Sequence, residues 1–272
     1  MAKIKRATGR FSPECPTDKN LWYLFPTSEI DPKLDTFLTG GLYLARLDRF
    51  KDPREGTLPR PDHRDLLDKA PDFAKKYILG AYKQARRQSF AMCFHRSSGE
   101  PSDYMWEHEK FGGRHDGVAI RTNPQRMVDA LRPILASGAA HFQVIRYIDH
   151  SIDDKKNSSG TWNILQTHFV VRSDFNQEEE ARLLLHTYGP SGSKLRELTG
   201  PKGPLVRIRK TRTNPSRHEF VGGYKRGTAV LLGIEPKQFI EEIVLGKRVS
   251  DSIYKSVLQK ADALTIPCRR LS

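Results

Sequence analysis

The chain is poor in the features that mark several protein classes at sight. Its three cysteines, Cys15, Cys93 and Cys268, are odd in number and far apart. They build no disulfide framework and fit a reducing compartment better. No apolar run approaches the ~20 residues of a membrane span, and the longest, Ala229 to Ile234, is strand-sized. Mean hydropathy is −0.61. The basic N-terminus lacks the apolar stretch of a signal peptide, so a cytoplasmic location is expected, with no membrane partner. Gly112-Gly113 and Gly222-Gly223 lack both the Walker Lys-Ser/Thr and the Rossmann spacing, and no Gly-x-Ser-x-Gly elbow is present. His95, His108 and His115, with Cys93, match no common zinc spacing and read as surface or packed histidines. Acid is scarce relative to base. Asp and Glu number 32 against 46 Lys and Arg, leaving +14 and a pI near 9.7. At 37% hydrophobic the chain still has the apolar mass for a core, which excludes a disordered polyampholyte.

The excess charge is concentrated. Residues 200–226 carry eight basic side chains, Arg207, Arg209, Lys210 and Arg212 among them, against Glu219 alone. Rich in Gly, Pro, Thr and Ser, this stretch reads as a basic loop or β-ribbon. Lys75 to Arg96 holds six basic residues and no acid. Within it Lys76, Lys83 and Arg87 share one helical face, while Ile78, Tyr82 and Ala85 take the other. Such runs are often plain solvated surface. The alternative is a polyanion, and nucleic acid fits better than membrane because no strongly hydrophobic face accompanies the charge. No helix-turn-helix, zinc finger or RNP pattern is visible, so contacts to backbone or single strands are expected.

Residues 1–20 read as a basic flexible arm and 21–272 as one domain. Strands are expected at Leu21–Phe25, Leu42–Ala45, Phe90–Phe94, Gly117–Ile120, Val144–Ile148, Glu180–Leu185, Val206–Ile208, Ala229–Ile234 and Ile240–Leu245. Helices are expected at Pro32–Leu38, about 66–87, Ser102–Lys110, Pro124–Leu135 and Ser250–Asp262. Strands and helices mix without a βαβ period, which predicts a single α+β domain.

Against the basic background, Glu178-Glu179-Glu180 stands out, followed by Arg182 and an apolar run. If a strand begins there, period-two alternation puts Glu178, Glu180 and Arg182 on one face. Two carboxylates and a guanidinium so placed can hold a ribose diol or a cationic transition state; a solvated strand start is the simpler alternative. Asp52-Pro53 is a turn former, although Asp52 or Glu55 can also anchor a ligand hydroxyl. Met105-Trp106 suits core packing, or a Trp stacked on a flat ring.

These pieces recur in order as a motif string: Tyr23-Leu24-Phe25, Phe50-Lys51-Asp52-Pro53-Arg54-Glu55, Cys93-Phe94, Met105-Trp106 with Gly117-Val118, Phe175-x-x-Glu178-x-Glu180-x-Arg182, and Ile240-x-x-Ile243-x-x-Gly246. The string resembles a bacterial family of unknown function whose pattern runs Tyr-Lys-Tyr, Phe-Asn-Asp-Pro-x-Glu, Cys-Phe, Met-Trp, Trp-x-x-Glu-x-Glu-x-Arg. Leu24, Lys51 and Phe175 depart from it, and the 200–226 segment elaborates it. That layout in turn resembles the ADP-ribosyltransferase superfamily, with Tyr23, Tyr43 and Glu178-x-Glu180 in its three strand slots. The resemblance implies a split, mostly antiparallel sheet, NAD as substrate and no metal. It further implies that Glu180 binds the ribose 2′-hydroxyl and stabilises an oxocarbenium ion, while Glu178 orients or deprotonates the acceptor. Tyr23, Tyr43 and Trp106 would sandwich nicotinamide or adenine, with Arg46 or Arg54 on the pyrophosphate. A cationic groove points to a nucleic-acid acceptor, RNA before single-stranded DNA. Bacterial enzymes of this kind are commonly toxins or antiphage effectors, which implies an antitoxin protein. Two rivals stand beside this reading. A metal-dependent nuclease would use Asp149 or Asp174 with the glutamates, though Arg182 replaces the expected Lys. The other is a non-catalytic nucleic-acid-binding protein.

Overall fold

In the computed structural model the described residues are 19–50, 68–111, 113–136, 138, 140–148, 166–186, 206–211, 218–220 and 229–272. Thirteen strands run in chain order through them: β1 (Asn20–Pro26), β2 (Gly41–Arg46), β3 (Ser89–Ser97), β4 (Gly117–Thr122), β5 (Ala140–Val144), β6 (Arg146–Ile148), β7 (Val170–Arg172), β8 (Glu180–His186), β9 (Val206–Thr211), β10 (His218–Phe220), β11 (Ala229–Gly233), β12 (Ile240–Leu245) and β13 (Cys268–Arg270). The helices are α1 (Ile30–Leu38), α2 (Asp72–Arg87), α3 (Asp103–Glu107), α4 (Pro124–Ala136), α5 (Pro236–Phe239) and α6 (Asp251–Asp262). The expected α+β class is what the chain adopts, with a mixed and mostly antiparallel sheet. The single strand expected over Val144–Ile148 is instead two, β5 and β6, separated by Ile145. The basic helix expected over about 66–87 is interrupted. Asp68 and Lys69 are helical, Ala70 bends, and α2 starts afresh at Asp72 with Pro71 as its N-cap. Proline cannot donate into a preceding turn but is well suited to begin a new one.

The main sheet runs β10-β9-β11-β2-β3-β1-β4-β12-β13, with β8 on the other edge of β3 and β5 beyond β8. β6 and β7 form a separate parallel pair. β3 is the branch point. Ser89–His95 pair with β8 along one edge. On the opposite edge β2 takes Phe90 and Ala91, while β1 takes His95, Arg96 and Ser97. Two strands thus share one edge and separate between these contacts.

Alternation assigns the two faces. Leu21 and Phe25 of β1, Phe90, Met92 and Phe94 of β3, and Ala181, Leu183 and Leu185 of β8 point into the large core. There they meet Leu34 and Phe37 of α1, Met127 and Leu131 of α4, and Val257 and Ala261 of α6. The helix starts are capped from sequence. Asn123 Oδ1 accepts the backbone N–H of Gln125 at 2.9 Å ahead of α4, and Ser250 accepts from Ile253 ahead of α6, each contributing about 1 kcal/mol. The other face carries two smaller clusters. Trp22, Leu24, Met105, Trp106, Ala119 and Val244 form one; Leu47, Ala91, Ile145, Phe169 and Leu184 form the second. Polar residues occupy this same face along β3 and β8.

Among the described residues no helix is long and apolar enough to cross a membrane. The 200–226 segment is described in two pieces, β9 and β10, which pair antiparallel with Lys210 opposite Glu219. β9 also joins β11, with Arg207 opposite Leu231 and Arg209 opposite Ala229. Arg212, Asp52 and Arg54, with the expected arm up to residue 18, lie outside the described residues.

Candidate functional site

The acidic triplet does not alternate as a strand. Ser173–Glu178 is a 3-10 turn, Glu179 has φ +38, and β8 starts only at Glu180. The left-handed residue between turn and strand breaks the period, so Glu178 does not share a strand face with Glu180 and Arg182. Each glutamate has its own surroundings.

Glu180 and Arg182 do share a face, and both are buried. Arg182 is 1% exposed and Glu180 6%. The Arg182 Nε donates to Glu180 Oε1 at 2.8 Å, Nη2 lies 2.7 Å from the same oxygen, and Nη1 donates to the His168 carbonyl at 2.7 Å. The Phe50 ring lies with its centroid 5.6 Å from the guanidinium carbon. The backbone N–H of Glu180 donates to the Tyr147 hydroxyl at 2.8 Å. Burial, then the Glu180 charge, raises the Tyr147 phenol above its ordinary value, so it stays protonated. A charge taken from water costs several kcal/mol unless its partner and hydrogen bonds come with it; here they do. The pair is a packed structural element, with its carboxylate turned to its own arginine.

Glu178 is 8% exposed, with its Oε2 3.5 Å from Lys110. Its carbonyl accepts from His95 Nδ1 at 2.8 Å, which fixes the proton on Nδ1, since a carbonyl can only accept. His95 Nε2 is buried without a partner. Burial lowers the His95 pKa, opposed by that hydrogen bond, so the ring is neutral. Glu179 is the exposed member of the triplet. It meets Lys19 at 2.5 Å, while its carbonyl accepts the backbone N–H of Arg96 at 2.9 Å.

Glu179 lines a cleft of about 360 Å³ with Lys19, His95, Arg96, Ser97, Ser98, Ser102, Tyr104 and Gln177. The cleft opens where β3 runs off into its Ser97–Glu100 turn, which Ser97 closes by donating to the Glu100 carbonyl at 2.6 Å. Trp22 supports the turn from below, its Nε1 donating to the Gly99 carbonyl at 3.0 Å. The hydroxyls of Ser98 and Ser102, a phenol and two cations suit a phosphate-bearing ligand. The carboxylate can accept from a sugar hydroxyl. The volume falls within the usual ~300–1,000 Å³ of small-ligand clefts.

The other expected site residues do not gather here. Tyr23 lies on the main-core face, its ring 4.9 Å from Phe37 and 6.2 Å from Phe94, with Lys33 Nζ 5.7 Å from its centroid. Burial raises its pKa. Trp106 belongs to the opposite face and is 2% exposed, stacked on His115 at 6.1 Å. Tyr43 alternates with the core residues Leu42 and Leu44 and opposes Leu231. Tyr23 and Trp106 therefore cannot sandwich one ring, because the sheet lies between them. Arg46 is held by Asp48 at 2.6 and 3.0 Å. Lys76, Lys83 and Arg87 are exposed on α2.

Most of the motif string proves to be packing. Met105 and Trp106 fill the small cluster. A Cβ at Gly117 would sit 2.2 Å from the Phe111 carbonyl oxygen, and one at Gly246 2.0 Å from that of His115. Only glycine fits either position. The cleft residues Lys19, Arg96, Ser97, Ser98, Ser102, Tyr104, Gln177 and Glu179 do not stand out as a site in the sequence. One signal is present: the apolar strand Phe90–Phe94 runs off into His95-Arg96-Ser97-Ser98-Gly99, a dense polar run at a strand end. No protein-family model matches the chain, and no curated protein matches it either. Among the described residues no group of three or more His, Cys, Asp or Glu is placed to hold a metal ion.

Proposed function

We propose that the protein is an NAD-dependent ADP-ribosyltransferase that modifies nucleic acid, with RNA as the favoured acceptor. The observation that carries the reading is the cleft at the end of β3, where Glu179 shares a cavity with Lys19, Arg96, three serines and Tyr104. The cations and hydroxyls would take the pyrophosphate. The Glu179 carboxylate would hydrogen-bond the ribose and stabilise the positive charge that develops as the bond from ribose C1′ to the nicotinamide nitrogen breaks. The bonding electrons leave with nicotinamide, and a nucleophilic atom of the acceptor closes on C1′, losing its proton to solvent or to a neighbouring base. Glu178 fixes one wall of the cleft through its carbonyl, which holds the lining residue His95. The +14 charge supplies the field that attracts a polyanionic acceptor. An enzyme with this activity would act as a toxin or antiphage effector, and a neutralising antitoxin protein would accompany it.

The test is incubation with labelled NAD plus RNA, single-stranded DNA or cell protein. Label is expected on nucleic acid. Glu179→Gln should abolish the transfer while leaving the melting temperature unchanged, since Glu179 is exposed. Absence of transfer to every acceptor, together with absence of NAD hydrolysis, refutes the reading. Activity that a chelator removes and Mg²⁺ restores, with NAD untouched, supports a nuclease instead.

A further inference from the structure

The C-terminal half of α2 has one face against the protein and one turned outward, while its N-terminal half is exposed on most sides, Ile78 by 36% and Leu79 by 52%. Tyr82, Ala85 and Arg86 are its buried residues. The Arg86 Nη2 donates to the Leu47 carbonyl at 3.1 Å, fixing the helix to the small cluster around Leu47. At 100° per residue the opposite face carries Phe73, Lys76, Tyr77, Gly80, Lys83, Gln84 and Arg87. All of these are exposed, and the two aromatics are so by 77% and 80%. Large apolar rings left in water on a well-formed helix mark a contact surface.

Chemistry narrows the occupant. Phe73 and Tyr77 are one turn apart and share a face of the helix. Lys76 lies between them and Lys83 and Arg87 follow, the stretch from Phe73 to Arg87 spanning about 21 Å of helix. The only carboxylate of α2 is Asp72 in its first turn. Asp48, 3.9 Å from Arg87, already holds Arg46 through both oxygens. Next on this face comes Gly80, where an added Cβ would meet nothing within 4 Å, so the surface beside the rings is open. Flat rings interleaved with cations, and no acid between them, match bases and phosphates of an unpaired strand. A duplex hides its base faces and offers phosphate alone.

We infer that the exposed face of α2 is a docking surface for single-stranded nucleic acid, with Phe73 and Tyr77 stacking on bases and Lys76, Lys83 and Arg87 contacting phosphates. This rests on, and sharpens, the proposal that the acceptor is nucleic acid, by choosing unpaired strands over duplex.

The experiment measures fluorescence anisotropy of the full chain with labelled oligo-U RNA, oligo-dT and an RNA duplex, each about 12 nucleotides long, enough to span one such surface. Both single strands should bind at least about tenfold tighter than the duplex. Phe73→Ala with Tyr77→Ala should weaken single-strand binding roughly tenfold per stacked base without changing its salt dependence. Lys76→Gln, Lys83→Gln and Arg87→Gln together should lower the slope of log K against log salt by about 2. A preference for oligo-U over oligo-dT identifies RNA; equal binding leaves single-stranded nucleic acid as the class. Duplex binding as tight as single-strand binding overturns the inference, as does indifference to the aromatic pair. So does binding to phosphatidylserine vesicles without binding to either strand, which would make the face a membrane contact. NAD turnover is read separately. Single-strand binding without turnover sinks the transferase and keeps this surface; turnover without single-strand binding does the reverse.

Discussion

Glu180→Gln separates the two roles that a buried glutamate can play. In the structure its carboxylate accepts from the Nε of Arg182 at 2.8 Å and lies 2.7 Å from Nη2, and Arg182 is 1% exposed. Replacing the carboxylate by an amide keeps shape and volume but leaves a full guanidinium charge in the interior. Breaking a buried pair from one side costs about 3–5 kcal/mol. Gln can still accept one hydrogen bond, which puts this substitution near the lower end. For a chain of this size, about 3 kcal/mol lowers the melting temperature by roughly 6–12 °C. It would also remove a large share of a typical stability of about 5–15 kcal/mol. The assay is urea unfolding followed by far-UV circular dichroism, with Glu180→Gln, Arg182→Met and the double variant Glu180→Met with Arg182→Met. The double variant should be less destabilised than the sum of the singles, because it removes both charges together. A loss below about 1 kcal/mol in Glu180→Gln would refute the structural role. If NAD turnover vanished in that same stable variant, Glu180 would be the carboxylate that stabilises the ribosyl cation and the assignment to Glu179 would fall.

Two further predictions concern the same sheet. Burial, then the neighbouring His186, lowers His141 to about 4, and burial followed by Arg182 lowers His168 to about 3. Both sit below the ordinary ~6.5 of an unfolded histidine. The unfolded chain therefore binds more protons, and stability present above pH 6.5 should fall as pH drops toward 4 and then 3. A histidine that titrates one pH unit lower when folded than when unfolded accounts for about 1.4 kcal/mol. Urea midpoints should therefore decline steeply below pH 6.5; midpoints that stay level from pH 7 to 5 would contradict the buried neutral histidines. The second is Gly246→Ala. Its new methyl would stand 2.0 Å from the His115 carbonyl oxygen, a backbone atom fixed by the Arg248 N–H at 3.3 Å. A loss of about 1–3 kcal/mol or more is expected in thermal melts, and an unchanged melting temperature would mean that the loop moves freely.

What the sequence disclosed and what it withheld divide along physical lines. β1, β3, β4, β8 and β12 are apolar runs buried on both sides of the sheet, and their composition alone locates them. The strand read over Val144–Ile148 joins the last residue of β5 to β6, because the apolar pattern runs on across Ile145 although β5 pairs with β8 and β6 with β7; residues 140–143, the rest of β5, are not read as strand. β7, β10 and β13 are three-residue strands, too short for any periodicity to register. Faces are harder than strands. Tyr23 and Trp106 both read as aromatic candidates for one ring site, but which side of a sheet a side chain takes depends on its register parity with neighbours distant in sequence. Trp22 opposes His95 and Arg121, and that parity sends Tyr23 to the helices.

Glu178-Glu179-Glu180 shows the same limit within three residues. A strand reading selects the outer two and discards the middle one. The observed backbone does the opposite, because Glu179 at φ +38 turns the chain between a 3-10 turn and β8. The outer carboxylates are drawn inward to Lys110 and Arg182, and the middle one is left outward beside Lys19. A buried carboxylate already matched to an arginine has little left to offer a substrate, since whatever it gives a ligand it must first withdraw from its partner. A half-exposed one, in a cleft lined by hydroxyls and a second cation, has its remaining lone pairs open to a ligand. The alternation that made Glu178 and Glu180 the natural pair thus failed at one residue in the left-handed region, and that residue is the carboxylate with access to the cleft.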